Sequence, residues 1–427
     1  MAELVDALDS KSSSFGSAGS IPASSTKTLI NNILSRFFLL KLVLFYPYFN
    51  LLLPQMAGIY IHIPFCKQKC TYCDFHFSTT YHSYRKEMIL SILKEIESRK
   101  NELSSVETIY FGGGTPSLLD KDELDSIIQT IQANYTINES LEITLEANPD
   151  DISTNKLKEW KKAGINRLSI GLQSFKSFDL EWMNRAHTVE EAENCISIAQ
   201  QEGFHNLTVD LIYGLPELTL VEWENHIQKL IDLKVSHISA YCLTIEKQTV
   251  LSSWIKKGKI EPAKEEMQSL QFELLVNILQ KNGYEQYEIS NFCLPDRESK
   301  HNSSYWKGTH YIGVGPSAHS YNGKERRWNI ANNQLYIKKM KQGEDYFEKE
   351  TLSSIDQFNE LLLTGLRTKY GVSLLKLASF TQISTEFQYK VNEFKEKKWM
   401  LEGNNSLYLT QEGKLMADHI ASELFIV

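Results

Sequence analysis

Downstream of residue 56 the sequence alternates short, β-branched apolar runs with longer stretches in which apolar residues recur at helical spacing. The first run, residues 59–63, ends at Pro64, and the next stretch places Met88, Ile92 and Ile96 on one helical face. Six such strands separated by helices predict a parallel sheet with right-handed crossovers. We therefore predict an α/β fold built as a partial (β/α)6 barrel. The predicted strands are 59–63, 108–111, 141–146, 167–171, 207–213 and 237–243, and the predicted helices are 84–100, 120–135, 153–163, 188–202 and 219–233.

From about residue 346 the pattern changes to helices with one short strand. Helices are predicted at 355–368, 373–380 and 386–399, a strand at 407–409 and a last helix at 411–425. This order predicts a small helical, winged-helix-like domain. Its charges are mixed, since Glu386 and Lys390 lie close to Glu393 and Lys395, so we do not expect it to bind DNA.

The chain is thus expected to have four parts. Residues 1–55 form an N-terminal extension, 56–245 the partial barrel, 246–345 a segment that caps the barrel, and 346–427 the winged-helix-like domain.

The N-terminal extension differs in texture from the rest of the chain. Residues 10–26 contain eight serines, which is typical of disorder. Residues 37–53 are apolar but interrupted by Lys41 and Pro47, so they lie at the short limit for a membrane span. The segment is either a membrane anchor or the product of a start codon placed too far upstream. We favour the second alternative and expect Met56 to be the native N-terminus.

Charge and cysteine content narrow the class of protein. A formal net charge of −8 provides no basic surface for phosphates, so no nucleic-acid partner is expected. Half of the six cysteines fall within residues 66–73, and Cys195, Cys242 and Cys293 are isolated in apolar runs. This is not a disulfide framework, so we expect a reducing, cytoplasmic setting.

The three clustered cysteines are the strongest chemical signal. Cys66, Cys70 and Cys73 follow the first strand at the spacing C-x3-C-x2-C. Three thiolates on a [4Fe–4S] cluster leave one iron open to a small molecule, because such a cluster normally takes four cysteines. The alternative is a zinc site with His76 as fourth ligand, but structural zinc usually needs a second cysteine pair, which this sequence lacks.

Further polar or glycine-rich signals fall within or just after predicted strands, where active sites form in parallel α/β barrels. The loop Gly112-Gly113-Gly114-Thr115-Pro116 would let bare backbone approach a ligand, although a tight turn explains such a loop equally well. The strand-end acceptors could hold ribose hydroxyls or an ammonium group, and the arginine a carboxylate, whereas capping, solvated or core roles are the alternatives. These candidates are Glu146, Gln173, Asp210 and Arg185, with Tyr60 and Tyr72 flanking the cysteines.

Several motifs together resemble the coproporphyrinogen III dehydrogenase-like branch of the radical SAM proteins, from about Met56 to the C-terminus. They are Tyr60-Ile-His-Ile-Pro-Phe-Cys66, the three cysteines, the glycine loop, Gly171-Leu-Gln173-Ser-Phe and Asp210-Leu-Ile-Tyr-Gly-Leu-Pro216. The resemblance implies that S-adenosylmethionine occupies the open iron of the cluster and can be cleaved there. It places the contacts to S-adenosylmethionine at Tyr60, Gly113, Gly114, Thr115, Glu146, Gln173, Arg185 and Asp210.

Within this branch the chain resembles the HemW-type haem chaperones more than the oxidases. The oxidases extend the motif to C-x3-C-x2-C-x-C, whereas Phe75 stands at the position of the extra cysteine here. The sequence His301-Asn302-Ser-Ser-Tyr305-Trp306 matches the HNxxYW signature of the chaperones. The resemblance implies a protein that binds haem and transfers it to an acceptor. The alternative is an oxygen-independent coproporphyrinogen III oxidase.

The candidate haem residues are those of the HNxxYW signature. Imidazole is a common axial ligand of haem iron, so His301 could bind the metal while Tyr305 and Trp306 cover a porphyrin face. A histidine in an aromatic core is the alternative, and His310 and His319 are further candidates for iron. The acceptor would be a haem protein such as a membrane respiratory one, which would bring this cytoplasmic protein to the membrane periphery. A homodimer is the assembly considered.

Overall fold

The computed structural model describes residues 57–426, so the predictions for the N-terminal extension and for Met56 lie outside the described residues. All six predicted strands and the five helices between them are present, with one additional short helix, α4. The strands are β1 Ala57–Ile63, β2 Val106–Gly113, β3 Ile137–Ala147, β4 Arg167–Gln173, β5 Leu207–Tyr213 and β6 His237–Cys242. The helices are α1 Arg85–Ser98, α2 Lys121–Asn134, α3 Thr154–Ala163, α4 Ser177–Trp182, α5 Val189–Gln201 and α6 Leu220–Asp232.

Local chemistry explains why these elements begin where they do. Thr188 and Glu191 form a reciprocal capping box at the start of α5, in which each side chain accepts a backbone N–H of the other residue. Thr219 and Glu222 do the same for α6. Strand β1 presents Ile59, Ile61 and Ile63 to the helical layer, where all three are fully buried.

The central sheet is larger than predicted. β1 to β6 lie in sequence order and are parallel throughout, as the βαβ pattern required. A seventh parallel strand pairs with β1 on its free side, with Tyr60 opposite Gly313. Further strands extend both ends and give the twelve-stranded order β12-β11-β10-β9-β1-β2-β3-β4-β5-β6-β8-β7. The added strands are β7 Glu285–Glu288, β8 Asn291–Cys293, β9 His310–Val314, β10 His319–Tyr321, β11 Glu325–Asn329 and β12 Phe347–Thr351.

The segment predicted to cap the barrel therefore supplies strands to both edges of the sheet. The division of the chain into three folded domains stays a prediction, and the twelve-stranded sheet takes strands from all three predicted parts. Four helices also belong to this segment. They are α7 Val250–Lys256, α8 Glu265–Lys281, α9 Lys300–Trp306 and α10 Asn333–Gln342.

The winged-helix-like prediction for the C-terminal part is confirmed in its order of elements. Three helices precede a β-hairpin whose second strand also pairs with a short strand upstream, giving the order β13-β15-β14. The predicted last helix is interrupted at Met416. The elements are α11 Ser354–Gly365, β13 Val372–Ser373, α12 Leu374–Phe380, α13 Thr385–Glu396, β14 Met400–Gly403, β15 Ser406–Leu409, α14 Gln411–Leu415 and α15 Ala417–Glu423.

A buried carboxylate ties the extra strands to the barrel. Glu95 on α1 is fully buried and accepts hydrogen bonds from the Tyr336 hydroxyl at 2.6 Å and the Gly315 N–H at 2.9 Å. Asn329 Nδ2 donates to the same carboxylate at 2.9 Å.

None of the helices in residues 57–426 is long and apolar enough to cross a lipid bilayer.

Candidate functional site

The three clustered cysteines lie in a loop that leaves the carboxyl end of β1. The loop closes on itself, because the Cys66 N–H donates to the Ser78 carbonyl at 3.1 Å and the Ser78 N–H to the Pro64 carbonyl at 2.9 Å. These bonds place the thiols beside the ends of the neighbouring parallel strands, which is the edge predicted for the site.

The same loop is anchored to the segments that follow β3 and β4. The Thr71 N–H donates to the Met183 carbonyl at 3.1 Å. Lys67 Nζ lies 2.6 Å from an Asp150 carboxylate oxygen and 2.5 Å from one of Asp151. The loop is therefore fixed at its middle as well as at its ends, and the thiols are held in place before any ligand binds.

The thiols share one electrostatic environment. Burial, with a smaller contribution from the neighbouring cysteine sulfurs, raises the pKa of Cys66 to about 11 and that of Cys73 to about 12. Thr115 Oγ1 lies 3.5 Å from Cys66 Sγ, and Arg185 Nη1 lies 3.5 Å from Cys70 Sγ. Within residues 57–426 no three histidine, cysteine or acidic side chains converge on a single ion position.

This arrangement fits an iron–sulfur cluster better than a single metal ion. A cubane takes each thiolate on a separate iron, so its ligands need not converge on one point. Metal binding also stabilises the thiolate form of the cysteines, which burial alone disfavours. His76, the fourth ligand of the zinc alternative, instead has its Nε2 at 2.8 Å from Asn333 Oδ1.

The glycine loop packs directly on the cysteine loop. The Gly114 N–H donates to the Ile63 carbonyl at 2.9 Å, and a Cβ at Gly114 would lie 2.5 Å from the Phe65 carbonyl oxygen. Gly113 has φ +103°, and a Cβ there would lie 2.6 Å from the His62 ring. Close approach to β1 and its loop thus accounts for both glycines before any ligand is considered.

Two acidic side chains predicted at strand ends face the barrel interior. Glu146 accepts a hydrogen bond from the Tyr110 hydroxyl at 2.8 Å, and burial raises the pKa of its carboxyl to about 8. Burial also raises the pKa of Asp210 to about 6, although Ser239 and Arg167 oppose the shift. The Asp210 carboxylate adds to the raised pKa of Glu146, so the two acids supply a proton-sensitive negative charge to the site.

Arg185 links the cysteine loop to the ends of β3 and β4. Its Nη2 donates to the Gly171 carbonyl at 2.6 Å and to Asn148 Oδ1 at 2.8 Å. Its buried Nε has no hydrogen-bond partner among the described residues. Burial lowers the pKa of the guanidinium, but the neighbouring Tyr72 and Cys70 raise it by more, so the net shift is upward.

Gln173 and Tyr60 are the remaining predicted contact residues. Gln173 has φ +73°, and β4 is irregular between Gly171 and Gln173 where it pairs with β5. Tyr60 lies on β1 with its hydroxyl 3.2 Å from His62 Nδ1. The structure thus brings the predicted S-adenosylmethionine residues to the edge that holds the thiols. They are Tyr60, Tyr72, Gly113, Gly114, Thr115, Glu146, Gln173, Arg185 and Asp210.

His301 lies at the opposite end of the strands. It is buried, with Nδ1 2.7 Å from Thr108 Oγ1 and Nε2 2.8 Å from the Tyr305 hydroxyl. Its ring stacks on Tyr110 with a centroid distance of 4.9 Å. Burial and the nearby charge of Arg167 lower the pKa of His301 to about 3, so the ring is neutral. Coordination of iron at Nε2 would require the Tyr305 hydroxyl to move away.

Asn302 and Trp306 of the HNxxYW sequence make contacts away from His301. The Asn302 N–H donates to Ser299 Oγ at 3.3 Å and so completes the N-terminal cap of α9. Trp306 faces away from the barrel interior into a cleft, and the Arg367 guanidinium lies 5.7 Å from its ring centroid. The sequence motif therefore divides between two sides of α9.

The two spare histidines lie on the added strands. His319 stacks on Trp328 at a centroid distance of 6.5 Å, and burial lowers its pKa to about 4. His310 is half-buried and lies edge-on to Tyr321. Neither is close to His301 in the ring contacts of the described residues.

Sequence reasoning missed several residues that shape the site. Tyr110 is the most consequential, because its ring contacts His301 while its hydroxyl binds Glu146. His62 and Asn148 support the glycine loop and Arg185. Tyr110 and His62 occupy inward-facing positions of their strands, so the two-residue alternation along a strand could have identified them.

Comparison with known proteins agrees with this geometry. Residues 60–230 match the family model of the Radical SAM superfamily. The chain is 33% identical over 377 residues to the heme chaperone HemW of Bacillus subtilis (strain 168), covering 86% of this chain and 98% of that protein. It is 32% identical over 377 residues to the heme chaperone HemW of Lactococcus lactis, covering 88% and 99%.

A solved structure shares the fold. The coproporphyrinogen III oxidase HemN from Escherichia coli superposes with a TM-score of 0.76 at 20% identity, covering 87% of this chain and 90% of that one. This likeness confirms the predicted radical SAM fold. Together with the identity to the curated relatives over nearly their whole length, it shows that the chain belongs to the HemW family of the radical SAM superfamily.

Proposed function

We propose that this protein is a haem chaperone that holds a [4Fe–4S] cluster with S-adenosylmethionine and passes haem to an acceptor protein. The observation that carries the cluster assignment is the preformed loop in which Cys66, Cys70 and Cys73 share one environment, closed by Thr115 and Arg185. The family relatives named heme chaperones support the haem assignment.

The residues around the loop suit a nucleoside sulfonium that carries an amino acid. Cys66, Cys70 and Cys73 would hold the cluster, whose chemistry when bound and reduced is electron donation to the sulfonium. Glu146 and Asp210 supply negative charge for an ammonium group, and Arg185 has an unpaired Nε for a carboxylate.

Two features favour a chaperone over an oxidase. Phe75 replaces the cysteine by which the oxidases extend their motif, and its side chain is 54% exposed. His301 and Tyr305 of the HNxxYW sequence form an aromatic cluster with Tyr110. We propose a cytoplasmic location. If the acceptor is a membrane respiratory haem protein, the two proteins would meet at the membrane periphery. We propose a homodimer as the assembly.

Anaerobic purification with parallel iron, sulfide and haem analysis tests the function. We expect about four irons and four sulfides per chain, stoichiometric haem binding, and no turnover of coproporphyrinogen III. Cys70→Ala should lose the cluster, whereas Cys195→Ala on α5 should keep it. Protoporphyrinogen at catalytic turnover would favour the oxidase, and a zinc content without iron would refute the cluster.

A pair of variants tests the haem ligand. His301→Ala removes the proposed ligand, and Tyr305→Phe removes only the hydroxyl that occupies Nε2 at 2.8 Å. If His301 binds iron, the alanine variant loses the haem spectrum of the wild type, while the phenylalanine variant binds haem at least as tightly. If neither variant changes the spectrum, His301 is a core residue and its assignment to haem is wrong.

A further inference from the structure

A cleft on the outer side of α9 separates this helix from the C-terminal helices. It encloses about 200 Å³. One wall carries residues of α9 and its C-terminal end, and the other carries residues of α11, α12 and the turn between them. The residues used below are Tyr287, Ser303, Trp306, Lys307 and Lys376, all of which line the cleft.

One buried hydroxyl at the cleft has no hydrogen-bond partner among residues 57–426. Ser303 is 5% exposed, and its Oγ has no hydrogen-bond partner among the described residues. The hydroxyl of the next residue on the helix does have a partner, since Ser304 Oγ donates to the Lys300 carbonyl at 2.9 Å. Buried polar groups are usually satisfied, so an orphaned hydroxyl facing a cavity indicates a missing hydrogen-bond partner.

Two cations at the cleft, Lys376 and Lys307, form no ion pair with an acidic side chain of residues 57–426. Desolvation is the sole cause of the lowered pKa of Lys376, with no carboxylate acting against it. The Lys307 ammonium lies 5.4 Å from the centroid of the Tyr370 ring instead of at a carboxylate. The adjacent cations do have partners, because Arg367 lies 2.7 Å from Asp418 and Lys369 lies 2.7 Å from Glu298.

Aromatic residues also line the cleft. They are Trp306, Tyr370 and Tyr287, and the Tyr287 hydroxyl is already occupied by His237 Nε2 at 2.7 Å. An apolar slot with a few convergent polar groups is the usual form of a small-molecule site.

We infer that this cleft binds the carboxylate-bearing edge of a planar aromatic ligand, with Lys307 and Lys376 facing the carboxylates, Ser303 donating a hydrogen bond and Trp306 contacting the ring. Pockets that enclose whole drug-sized ligands begin at about 300 Å³, so the cleft takes an edge and not a complete tetrapyrrole. That this edge is the propionate side of haem rests on the haem binding proposed above, and it requires an iron ligand other than His301, because His301 lies on the opposite side of α9.

A small probe tests the cleft without haem. 3-Phenylpropionate carries one propionate on one ring, and saturation-transfer NMR with the full chain should detect its binding. Lys307→Gln with Lys376→Gln should weaken this binding about threefold to tenfold. Lys338→Gln on α10, an exposed lysine outside the cleft, should not change it. Failure of the wild type to bind 3-phenylpropionate, or equal binding of its amide, would overturn the inference.

A haem arm separates this inference from the proposed function. Wild-type protein should bind haem more tightly than haem dimethyl ester, whose propionates are masked, and the double lysine variant should lose that preference. If wild type binds the small probe but no haem, the cleft is a carboxylate site and the proposed function fails. If haem binds but ester and haem behave alike in every variant, the haem site lies elsewhere and the assignment of the cleft to propionates is wrong.

Discussion

Replacing Glu146 by glutamine should make the free protein more stable, and increasingly so as the pH rises. Burial raises the pKa of this carboxyl from 4.5 to about 8 in the folded chain. Below pH 4.5 this carboxyl is protonated in both the folded and the unfolded chain, so it does not lower the free energy of unfolding. Between pH 4.5 and pH 8 it ionises more readily in the unfolded chain, so the free energy of unfolding falls as the pH rises. Glutamine keeps an oxygen for the Tyr110 hydroxyl at 2.8 Å but never ionises.

The size of the effect follows from the two pKa values. Each unit of separation corresponds to about 1.4 kcal/mol. The stability advantage of Glu146→Gln over wild type should therefore grow from about 1 kcal/mol at pH 5 to about 3 kcal/mol at pH 7 and at most about 5 kcal/mol at pH 9. These are upper values, because a structure that relaxes around the ionised carboxylate reduces the cost.

Urea unfolding at these three pH values measures the difference directly. Glu139→Gln is the matched control, because Glu139 lies on the same strand, β3, but is exposed. The control should show no growing advantage. An advantage of Glu146→Gln that stays constant with pH would mean that Glu146 is already ionised in the folded protein, and the electrostatic account of the site would be wrong.

Four further outcomes are expected. Binding of S-adenosylmethionine to the cluster-loaded protein should tighten about tenfold between pH 7 and pH 9, as Glu146 ionises to face the ammonium group, and anaerobic equilibrium dialysis should find no such change in Glu146→Gln. Gly114→Ala should prevent full cluster loading, because its Cβ would lie 2.5 Å from the Phe65 carbonyl oxygen, whereas Gly403→Ala meets nothing within 4 Å and should load normally in reconstitution measured by iron content. Ser303→Ala should raise the free energy of unfolding by about 1 kcal/mol by removing an unpaired buried hydroxyl, and Ser304→Ala, which loses a bond to Lys300, should not raise it. His301→Ala should lower the free energy of unfolding by about 3 kcal/mol, because it leaves a cavity and unpaired hydroxyls at Thr108 and Tyr305, whereas exposed His205→Ala should be neutral in the same denaturation assay.

The barrel was predictable because its strands and helices each carry a strong local signal. Parallel strands buried on both faces read as β-branched runs, and residues such as Thr219 with Glu222 mark the helix starts. The added strands lack such signals. β8 and β10 have three residues each, and β11 contains Arg326 and Arg327, so periodicity did not reveal them.

The site residues were predictable in position but not in partnership. Their locations followed from the rule that loops after parallel strands meet at one edge. Their partners depend on contacts between distant segments, such as Arg185 with Cys70, or Glu95 with Asn329, which are 234 residues apart. A sequence without aligned relatives contains no signal for such pairs.

The residues of the HNxxYW sequence lie on two different faces of one helix. Four residues along α9 separate His301 from Tyr305, so both face the barrel, where the histidine joins Thr108 and Tyr110. Trp306, one residue further, must face a different direction and lines the outer cleft. The haem-binding role predicted for these residues stays a prediction, and their geometry describes a helix that contacts the barrel on one side and a solvent cleft on the other. Tyr110 contacts His301 with its ring and Glu146 with its hydroxyl, so side-chain packing connects α9 to the edge of the barrel that holds the thiols.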